Sequence, residues 1–131
     1  IDYSADVGCQ VVWDAVLYAR SRVVNAASMV GVSAIDSPFM NVEAAEMLAD
    51  ESRKTRALGF VGKAAIHPSQ VPIIQSAFSP PASEISWAKR IVDAYERNDG
   101  GVLLVDGKLV ERPVITAAKR ILAIAEMIRE S

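Results

Sequence analysis

The chain has 131 residues, of which 51% are hydrophobic and 23% are charged, and its formal net charge is −2. This length and composition are typical of a soluble globular domain with its own core, and they exclude an intrinsically disordered chain. Because no concentrated basic face is present, we expect no nucleic acid as a partner. The longest apolar runs are far shorter than the ~20 residues that span a bilayer, so we expect no membrane segment either.

Cys9 is the single cysteine of the chain. No internal disulfide can form, and we expect Cys9 to serve packing in a reducing, cytoplasmic environment. The chain also begins at Ile1 rather than at Met, at a point with the pattern of a strand end. We therefore expect it to be a fragment of a longer protein.

Two amphipathic helices are predicted in the first half of the chain. Over 9–30, apolar residues recur at steps of three and four, which predicts a helix with one buried stripe that ends at Gly31. Asn41 is predicted to cap the next helix, which carries acidic residues early and basic residues late and ends before Gly59. The stripe of the first helix consists of Val12, Val16, Ala19, Val23, Ala27 and Val30.

Three strand-like apolar runs each end at a residue that can take part in chemistry. Asp2 follows the first run, Asp36 follows the run 32–35, and His67 follows the run at about 62–66. The alternation of strands and helices with short connections predicts parallel strands joined by right-handed crossovers. The three side chains should therefore meet at one edge of a sheet, the edge at which barrel enzymes carry out their chemistry.

Several of these residues also have ordinary structural explanations. His67 is the only histidine, and a lone His at a strand end is a structural hydrogen-bonding residue about as often as a catalytic one. Arg20 and Arg22 flank the apolar stripe of the first helix, where a solvated or salt-bridged helix face accounts for them.

The alternation of strands and helices stops after a short helix predicted at 70–78. Ser83 is predicted to cap a helix with an inward apolar stripe, and a small hairpin with a tight Asp-Gly turn is predicted over 102–110. Pro113 lies in the first turn of a final amphipathic helix. The segment after the short helix is therefore an appendage to the sheet.

The stretch from Leu58 to Gln70 reads LGFVGKAAIHPSQ and contains the most distinctive sequence pattern of the chain. It resembles the G-F-x-G-K-x-x-I-H-P-x-Q signature of the citrate lyase β-subunit-like branch of the HpcH/HpaI aldolase family. The resemblance is to the C-terminal half of such enzymes only. It extends over the chain through the segments IDYSADVG (1–8), YARSR (18–22), AID (34–36), AFSP (77–80) and GKLVERPV (107–114).

The resemblance implies both a fold and an activity. Residues 1–77 would supply the last strand–helix units of a (β/α)8 TIM barrel, and residues 78–131 a C-terminal extension of helix, hairpin and helix. Enzymes similar to this chain are magnesium-dependent lyases that cleave a 3-hydroxyacyl-CoA thioester, such as citryl-CoA, citramalyl-CoA or malyl-CoA, into acetyl-CoA and an oxo acid by retro-Claisen chemistry. The resemblance also implies a homo-oligomer, a trimer or hexamer, in which the extension reaches a neighbouring subunit.

The resemblance assigns roles to four residues. Asp2 falls on the metal-binding Asp of the family and would be a ligand of Mg²⁺, which demands hard oxygen donors. Glu111 stands where the family often has an acid/base Asp before Met-Pro or Arg-Pro, and it is longer by one methylene. We expect burial under the extension to help Glu111 exchange a proton with the acetyl-CoA methyl group. Asp36 and His67 would shape the site or contact the CoA substrate.

Other functions fit the same residues. A malyl-CoA thioesterase or malate synthase activity is possible on the same site, because water or a proton can intercept the same intermediate. A non-catalytic CoA-binding or assembly module is the alternative from another class, in which Glu111 is a surface residue at a helix start. The sequence does not identify the acyl group of the substrate, nor does it decide between CoA and an acyl-carrier partner. About three strands cannot close a barrel, so the chain alone should leave an open apolar edge.

Overall fold

The structure is a computed structural model that describes residues 2–98 and 103–129. The chain divides into two compact units, Ile1–Phe78 and Ser79–Ser131. No helix within the described ranges is both long and apolar enough to cross a membrane. The first unit contains α1 (Asp2–Val7), α2 (Trp13–Val30), β1 (Ile35–Asp36), α3 (Ala45–Leu58), β2 (Gly62–Lys63), a 3₁₀ turn (Pro68–Gln70) and α4 (Val71–Phe78). The second contains α5 (Ala82–Arg97), β3 (Leu103–Val105), β4 (Lys108–Val110) and α6 (Arg112–Arg129).

The first unit contains two short parallel strands joined by a helical crossover. β1 pairs with β2 in the register Ile35↔Gly62 and Asp36↔Lys63, and α3 connects them. The backbone amide of Ala64 extends the pairing by donating to the carbonyl of Asp36 at 3.0 Å. The predicted order of strand, helix and parallel strand is confirmed here. Each strand has two residues, which is shorter than predicted.

Glycines end the two long helices of the first unit, as predicted. Gly31 (φ 73°) and Gly59 (φ 111°) both have positive φ, which favours glycine. A Cβ atom at Gly59 would lie 3.0 Å from Val24 Cγ1 of α2, so the end of α3 approaches α2 closely. The predicted start of α3 is wrong. Asn41 Oδ1 accepts a hydrogen bond from the amide two residues later at 3.1 Å and forms a turn, and the helix begins only at Ala45.

The apolar stripe predicted on α2 is not buried. Val12, Val23 and Val30 are exposed, and none of the 18 residues of α2 is buried. An adjacent side of the helix, which includes Arg20 and Val24, faces α3 instead. The prediction failed because apolar periodicity treats arginine as a surface residue, whereas a fully paired arginine can occupy the inner side of a helix.

The second unit is built on the packing of α5 against α6. Ala88 of α5 and Ala118 of α6 are both 0% exposed, and such small side chains allow two helices to approach each other closely. Trp87 packs against this core. The buried core consists of Ala88, Ile91, Val110, Ile115 and Ala118.

The predicted hairpin is confirmed by the antiparallel pair β3 and β4. Its turn residues Asp106 (φ 51°) and Gly107 (φ 73°) both have positive φ, as a tight two-residue hairpin turn requires. Leu104 and Leu109 lie opposite each other in the register and are both exposed. Val102 and residues 99–101 of the turn predicted before the hairpin lie outside the described residues.

In the second unit, the predicted start of one helix is confirmed and the predicted cap of the other is wrong. Pro113 lies in the first turn of α6, as predicted. Ser83 is not a cap, because α5 begins at Ala82 and its cap residue is Pro81. The φ of −66° at Pro81 is set by its ring, so the chain enters the helix without a side-chain hydrogen bond.

Large apolar side chains of the first unit are exposed on several elements. On β1 the side chain of Ile35 is 66% exposed, and on α2 the side chain of Met29 is 88% exposed. Such a concentration of apolar surface is unusual for a monomer and marks surfaces that pack against other protein. Other examples are Val11, Val12, Tyr18, Val23, Val30, Val32, Met40, Met47, Val61, Ile66 and Val71.

We expect the 131-residue chain, expressed by itself, to aggregate or to stay partly unfolded. The reason is its exposed apolar surface together with the outer edges of the sheet, which have no partner strand among the described residues. Sedimentation velocity and thermal melting measure this directly. A compact monomer that melts cooperatively would contradict the expectation.

Candidate functional site

Four charged side chains connect the parallel strands to the neighbouring helices, and we call them the charge quartet: Arg20 of α2, Asp36 of β1, Glu51 of α3 and Lys63 of β2. Arg20 donates to the two carboxylate oxygens of Asp36 at 3.0 and 3.2 Å, and to Glu51 Oε1 at 2.9 Å. Lys63 Nζ donates to Asp36 Oδ2 at 2.6 Å and to Glu51 Oε1 at 2.7 Å. Each cation therefore binds both carboxylates.

The quartet is largely buried and carries no net formal charge. The side chains of Lys63 and Asp36 are 0% and 3% exposed, and those of Arg20 and Glu51 are 11% and 21% exposed. A buried charge without a partner costs several kcal/mol, so each member depends on the others. Charge-assisted hydrogen bonds that connect all four members fix α2 and α3 to the strands.

Asp36 and Lys63 are direct neighbours in the sheet register, so their side chains stand on the same face. Arg20 and Glu51 reach that face from α2 and α3. Both carboxylate oxygens of Asp36 are thus occupied by cations of the chain itself. The substrate role of Asp36 stays a prediction, and its contacts favour a residue that shapes the site over one that touches the substrate.

Trp13 adds an aromatic contact to the quartet. Its ring centroid lies 5.1 Å from Arg20 Cζ and 5.5 Å from Lys54 Nζ, within the range of cation–π attraction. Lys54 also pairs with Asp50 at 2.7 Å. Arg20 is therefore held by two carboxylates and by the Trp13 ring, which confirms the salt-bridged explanation of this arginine.

Gln70 connects the loops that follow the two parallel strands. Its Oε1 accepts a hydrogen bond from the amide of Ile66 at 3.0 Å, and its Nε2 donates to the carbonyl of Phe39 at 2.8 Å. The residue is 1% exposed. Both ends of the buried amide group are satisfied by backbone, as burial of a polar group requires.

His67 lies in the loop after β2 and caps the 3₁₀ turn. Its Nδ1 accepts a hydrogen bond from the amide of Ser69 at 3.2 Å and lies 2.8 Å from Ser69 Oγ. A ring nitrogen that accepts from an amide carries no proton, so this hydrogen bond favours the tautomer that has its N–H at Nε2. The side chain is exposed, which leaves Nε2 available to another molecule.

Asp2 is the first residue of α1 and is exposed. Its carboxylate offers the oxygen donor that Mg²⁺ demands, so the residue fits as one ligand of the ion. Among the described residues, no group of three or more His, Cys, Asp or Glu side chains could hold a metal ion. Asp2 would therefore share the ion with donors from elsewhere.

Glu111 is exposed, which corrects the expectation that the extension buries it. It is the residue before α6, and its carbonyl accepts hydrogen bonds from the amides of Val114 at 2.9 Å and Ile115 at 3.2 Å. The hairpin places its inner side chains, such as Val110, against the core of the unit. The Glu111 side chain is left on the surface.

The structure brings two of the predicted site residues, Asp36 and His67, to one edge of the sheet. Asp36 ends β1, and His67 follows β2 in the adjacent loop, so both lie at the carboxyl ends of neighbouring parallel strands. Asp2 begins a helix and belongs to no described strand. Glu111 lies in the second unit. The roles predicted for these four residues stay predictions.

Sequence-based prediction missed two members of the charge quartet, Glu51 and Lys63, and it missed the loop bridge Gln70. Glu51 gives no signal of this role, because it is one of several acidic residues in the first half of a charged helix. Lys63 and Gln70 did carry a signal, because both are fixed positions of the signature stretch. A lysine within an otherwise apolar strand is also unusual unless a carboxylate pairs with it.

Comparison with known protein families shows which family the chain belongs to. Residues 9–128 match the model of the C-C_Bond_Lyase family of the TIM-barrel fold. The chain therefore belongs to this family of carbon–carbon bond lyases, and the predicted fold class, a part of a TIM barrel, is confirmed. Within the family it is similar to citrate lyase β-subunit-like proteins, as the signature stretch predicted.

Two curated relatives illustrate the similarity. Mitochondrial citramalyl-CoA lyase of Rattus norvegicus is 31% identical over 98% of this chain and 40% of its own length. Citrate lyase subunit beta of Leuconostoc mesenteroides subsp. cremoris is 32% identical over 95% of this chain and 43% of its own length. The chain thus spans about two fifths of the length of these relatives.

A solved structure shows the same fold. It is CitE of Mycobacterium tuberculosis in complex with magnesium, acetoacetate and coenzyme A. It superimposes with a TM-score of 0.80, is 31% identical, and covers 94% of this chain and 48% of its own. A TM-score of that size extends the likeness from the signature stretch to nearly the whole chain.

In a full-length protein that carries this chain, we expect Lys63→Met to lower the free energy of unfolding by about 3–5 kcal/mol, because it leaves two carboxylates of the quartet with one cation. Chemical denaturation of wild type and variant measures the loss. Arg90→Met is the matched control, since Arg90 pairs with Asp106 at 3.2 Å but both side chains are exposed, and its loss should be under about 1 kcal/mol. Equal losses in the two variants would contradict the assignment of the quartet.

Proposed function

We propose that the chain forms the C-terminal part of a magnesium-dependent lyase that cleaves a 3-hydroxyacyl-CoA thioester to acetyl-CoA and an oxo acid. The likeness to CitE, over 94% of the chain at a TM-score of 0.80, carries the proposal. CitE was crystallised with magnesium, acetoacetate and coenzyme A, and the proposed reaction likewise involves magnesium, a small carboxylic acid with an oxo group and a CoA thioester. The names of the lyase relatives support the same reaction class.

The proposed reaction breaks the bond between carbons 2 and 3 of the acyl chain. The hydroxyl group on carbon 3 loses its proton and becomes the carbonyl group of the oxo acid. The electron pair of the broken bond moves to carbon 2, which becomes the methyl carbon of acetyl-CoA when a proton is added to it. One proton leaves and one is added, so the reaction consumes no net proton and needs no oxidant.

Asp2 is the residue of this chain that would hold the metal. When bound, Mg²⁺ supplies positive charge that polarises the oxygens of the oxo acid. Asp2 has the right donor chemistry and is exposed at the start of α1. The remaining donors would come from residues outside the described part of the chain.

Glu111 is the candidate that handles the proton at carbon 2. Its carboxylate is exposed, and no described residue pairs with it. The unit that carries Glu111 does not bury it. The surface that excludes water from the reaction must therefore come from another part of the protein or from another subunit. A neighbouring subunit of a homo-oligomer, a trimer or hexamer, fits this requirement.

His67 contributes to substrate binding in this proposal, because its exposed Nε2–H can donate to an oxygen of the CoA thioester. Asp36 shapes the same edge from within the charge quartet. A cytoplasmic location is proposed on Cys9 alone, the single cysteine of the chain.

A non-catalytic CoA-binding or assembly module is the second candidate function. One observation favours it: the carboxylate of Glu111 is in solvent. A thioesterase or malate synthase outcome uses the same residues. Product analysis separates all of these functions.

We expect a full-length protein that carries this chain to convert citryl-CoA, citramalyl-CoA or malyl-CoA, in the presence of Mg²⁺, into equal amounts of acetyl-CoA and oxaloacetate, pyruvate or glyoxylate respectively. Chelation of the metal should abolish turnover. Mass spectrometry of both products checks the expectation. Release of free CoA would indicate a thioesterase, and binding of the thioester without turnover would indicate the module.

We expect Glu111→Gln to lower turnover by about 100-fold or more with little change in Mg²⁺ affinity, because the change keeps the size of the side chain and removes its base. Steady-state kinetics and metal titration of the assembled oligomer measure the two quantities. Glu126→Gln is the control, since Glu126 is an exposed glutamate of α6 whose contact to Arg129 is 4.0 Å long. Near-full lyase activity of Glu111→Gln would make Glu111 a structural residue.

A further inference from the structure

The loops after β1 and β2 are held together by one side chain. Phe39 lies in the loop after β1, and Ile66 lies in the loop after β2. Gln70 Nε2 donates to the Phe39 carbonyl at 2.8 Å, and Gln70 Oε1 accepts from the Ile66 amide at 3.0 Å. The backbone amide of Gln70 also donates to the carbonyl of His67 at 3.0 Å. Gln70 thus ties its own turn, the preceding loop and the loop of the adjacent strand into one assembly.

The chemistry of these contacts requires an amide group. Phe39 offers an acceptor and Ile66 offers a donor, so the side chain between them must donate at one end and accept at the other. Glutamate would place a carboxylate oxygen against a carbonyl oxygen, and methionine would leave both backbone groups unsatisfied. At 1% exposure, the Gln70 side chain is shielded from solvent in the folded protein. An apolar side chain could fill the same space but could not form these hydrogen bonds. The hydrogen bonds therefore explain why this position is a glutamine.

We infer that Gln70 is a positioning residue that sets the distance between the two loops and thereby presents the His67 ring to the CoA thioester. The inference rests on the proposed function for the identity of that ligand. His67 is exposed and is fixed to its turn through Nδ1. Among the described residues, the hydrogen bond from the Gln70 side chain to Phe39 is the one that connects this turn to the loop after β1.

The charge quartet and Gln70 hold different parts of the same edge of the sheet in place. Asp36 and Lys63 fix the strands themselves. Gln70 acts beyond the strand ends, where the backbone of the loops has no ladder partner. Removal of Gln70 should therefore loosen the loops while the strands and helices stay in place, and thioester binding should fall before the fold is lost.

The test compares Gln70→Glu and Gln70→Met with Thr55→Val in the full-length protein. Thr55 is 0% exposed, and its hydroxyl donates to the carbonyl of Ser52 at 3.0 Å within α3. Thr55→Val keeps the shape of the side chain and removes one buried hydrogen bond, without touching either loop. It is thus a control for loss of stability alone.

Three measurements are made on each protein: the Kd of acetyl-CoA by calorimetry, the KM and kcat for the acyl-CoA substrate, and hydrogen exchange over 37–40 and 64–67. We expect both Gln70 variants to raise Kd and KM about 10-fold or more, with kcat changed less than about three-fold, and to speed exchange in both loops. Thr55→Val should change none of these.

Wild-type affinity in Gln70→Glu and Gln70→Met would overturn the inference, and so would an equal loss of affinity in Thr55→Val. Faster exchange without loss of acetyl-CoA affinity would also overturn it, since the loops would then be loosened with no effect on the ligand. If wild-type protein binds acetyl-CoA but cleaves no acyl-CoA, the lyase proposal fails, and the Kd comparison still decides the role of Gln70.

Discussion

A lysine with a fully buried side chain requires compensation of its charge, and this requirement determines how the first unit is assembled. Lys63 lies on β2, and two carboxylates compensate its charge: Asp36 on the adjacent strand and Glu51 on α3. Arg20 of α2 balances the charge of the second carboxylate. The charges cancel only when all four elements are in place. Apolar packing tolerates small shifts, whereas hydrogen bonds of 2.6–3.2 Å do not. The quartet therefore specifies the arrangement as much as it stabilises it.

The signature stretch has a structural explanation at several of its positions. Gly59 allows the close approach of α3 to α2, Lys63 is the buried cation, and His67 caps the turn that follows β2. Gln70 bridges the loops. A motif that marks an enzyme family thus includes here several residues that hold the edge of the sheet, and the exposed ring of His67 is one of its polar groups that face outward.

Much of the architecture could be predicted from the sequence because local signals were strong. Glycine at helix ends, the Asp106-Gly107 turn and the apolar stripes of α5 and α6 each depend on few neighbouring residues. The inner side of α2 could not be predicted, because it is decided by the pairing of Arg20 with residues 16 and 31 positions away. The exposure of Glu111 could not be predicted either, since it depends on which side of the hairpin packs on the helices.

The chain has two tryptophans, and the fold distributes one to each compact unit. Trp13 lies against the Arg20 guanidinium in the first unit, and Trp87 packs against the core of the second. A cation beside an indole ring changes its fluorescence when the pair separates, so Trp13 is an intrinsic optical reporter of the charge quartet. With Trp87 replaced by phenylalanine, the emission of this chain would report on the surroundings of Trp13, where α2 meets α3, and with Trp13 replaced it would report on the core of the second unit.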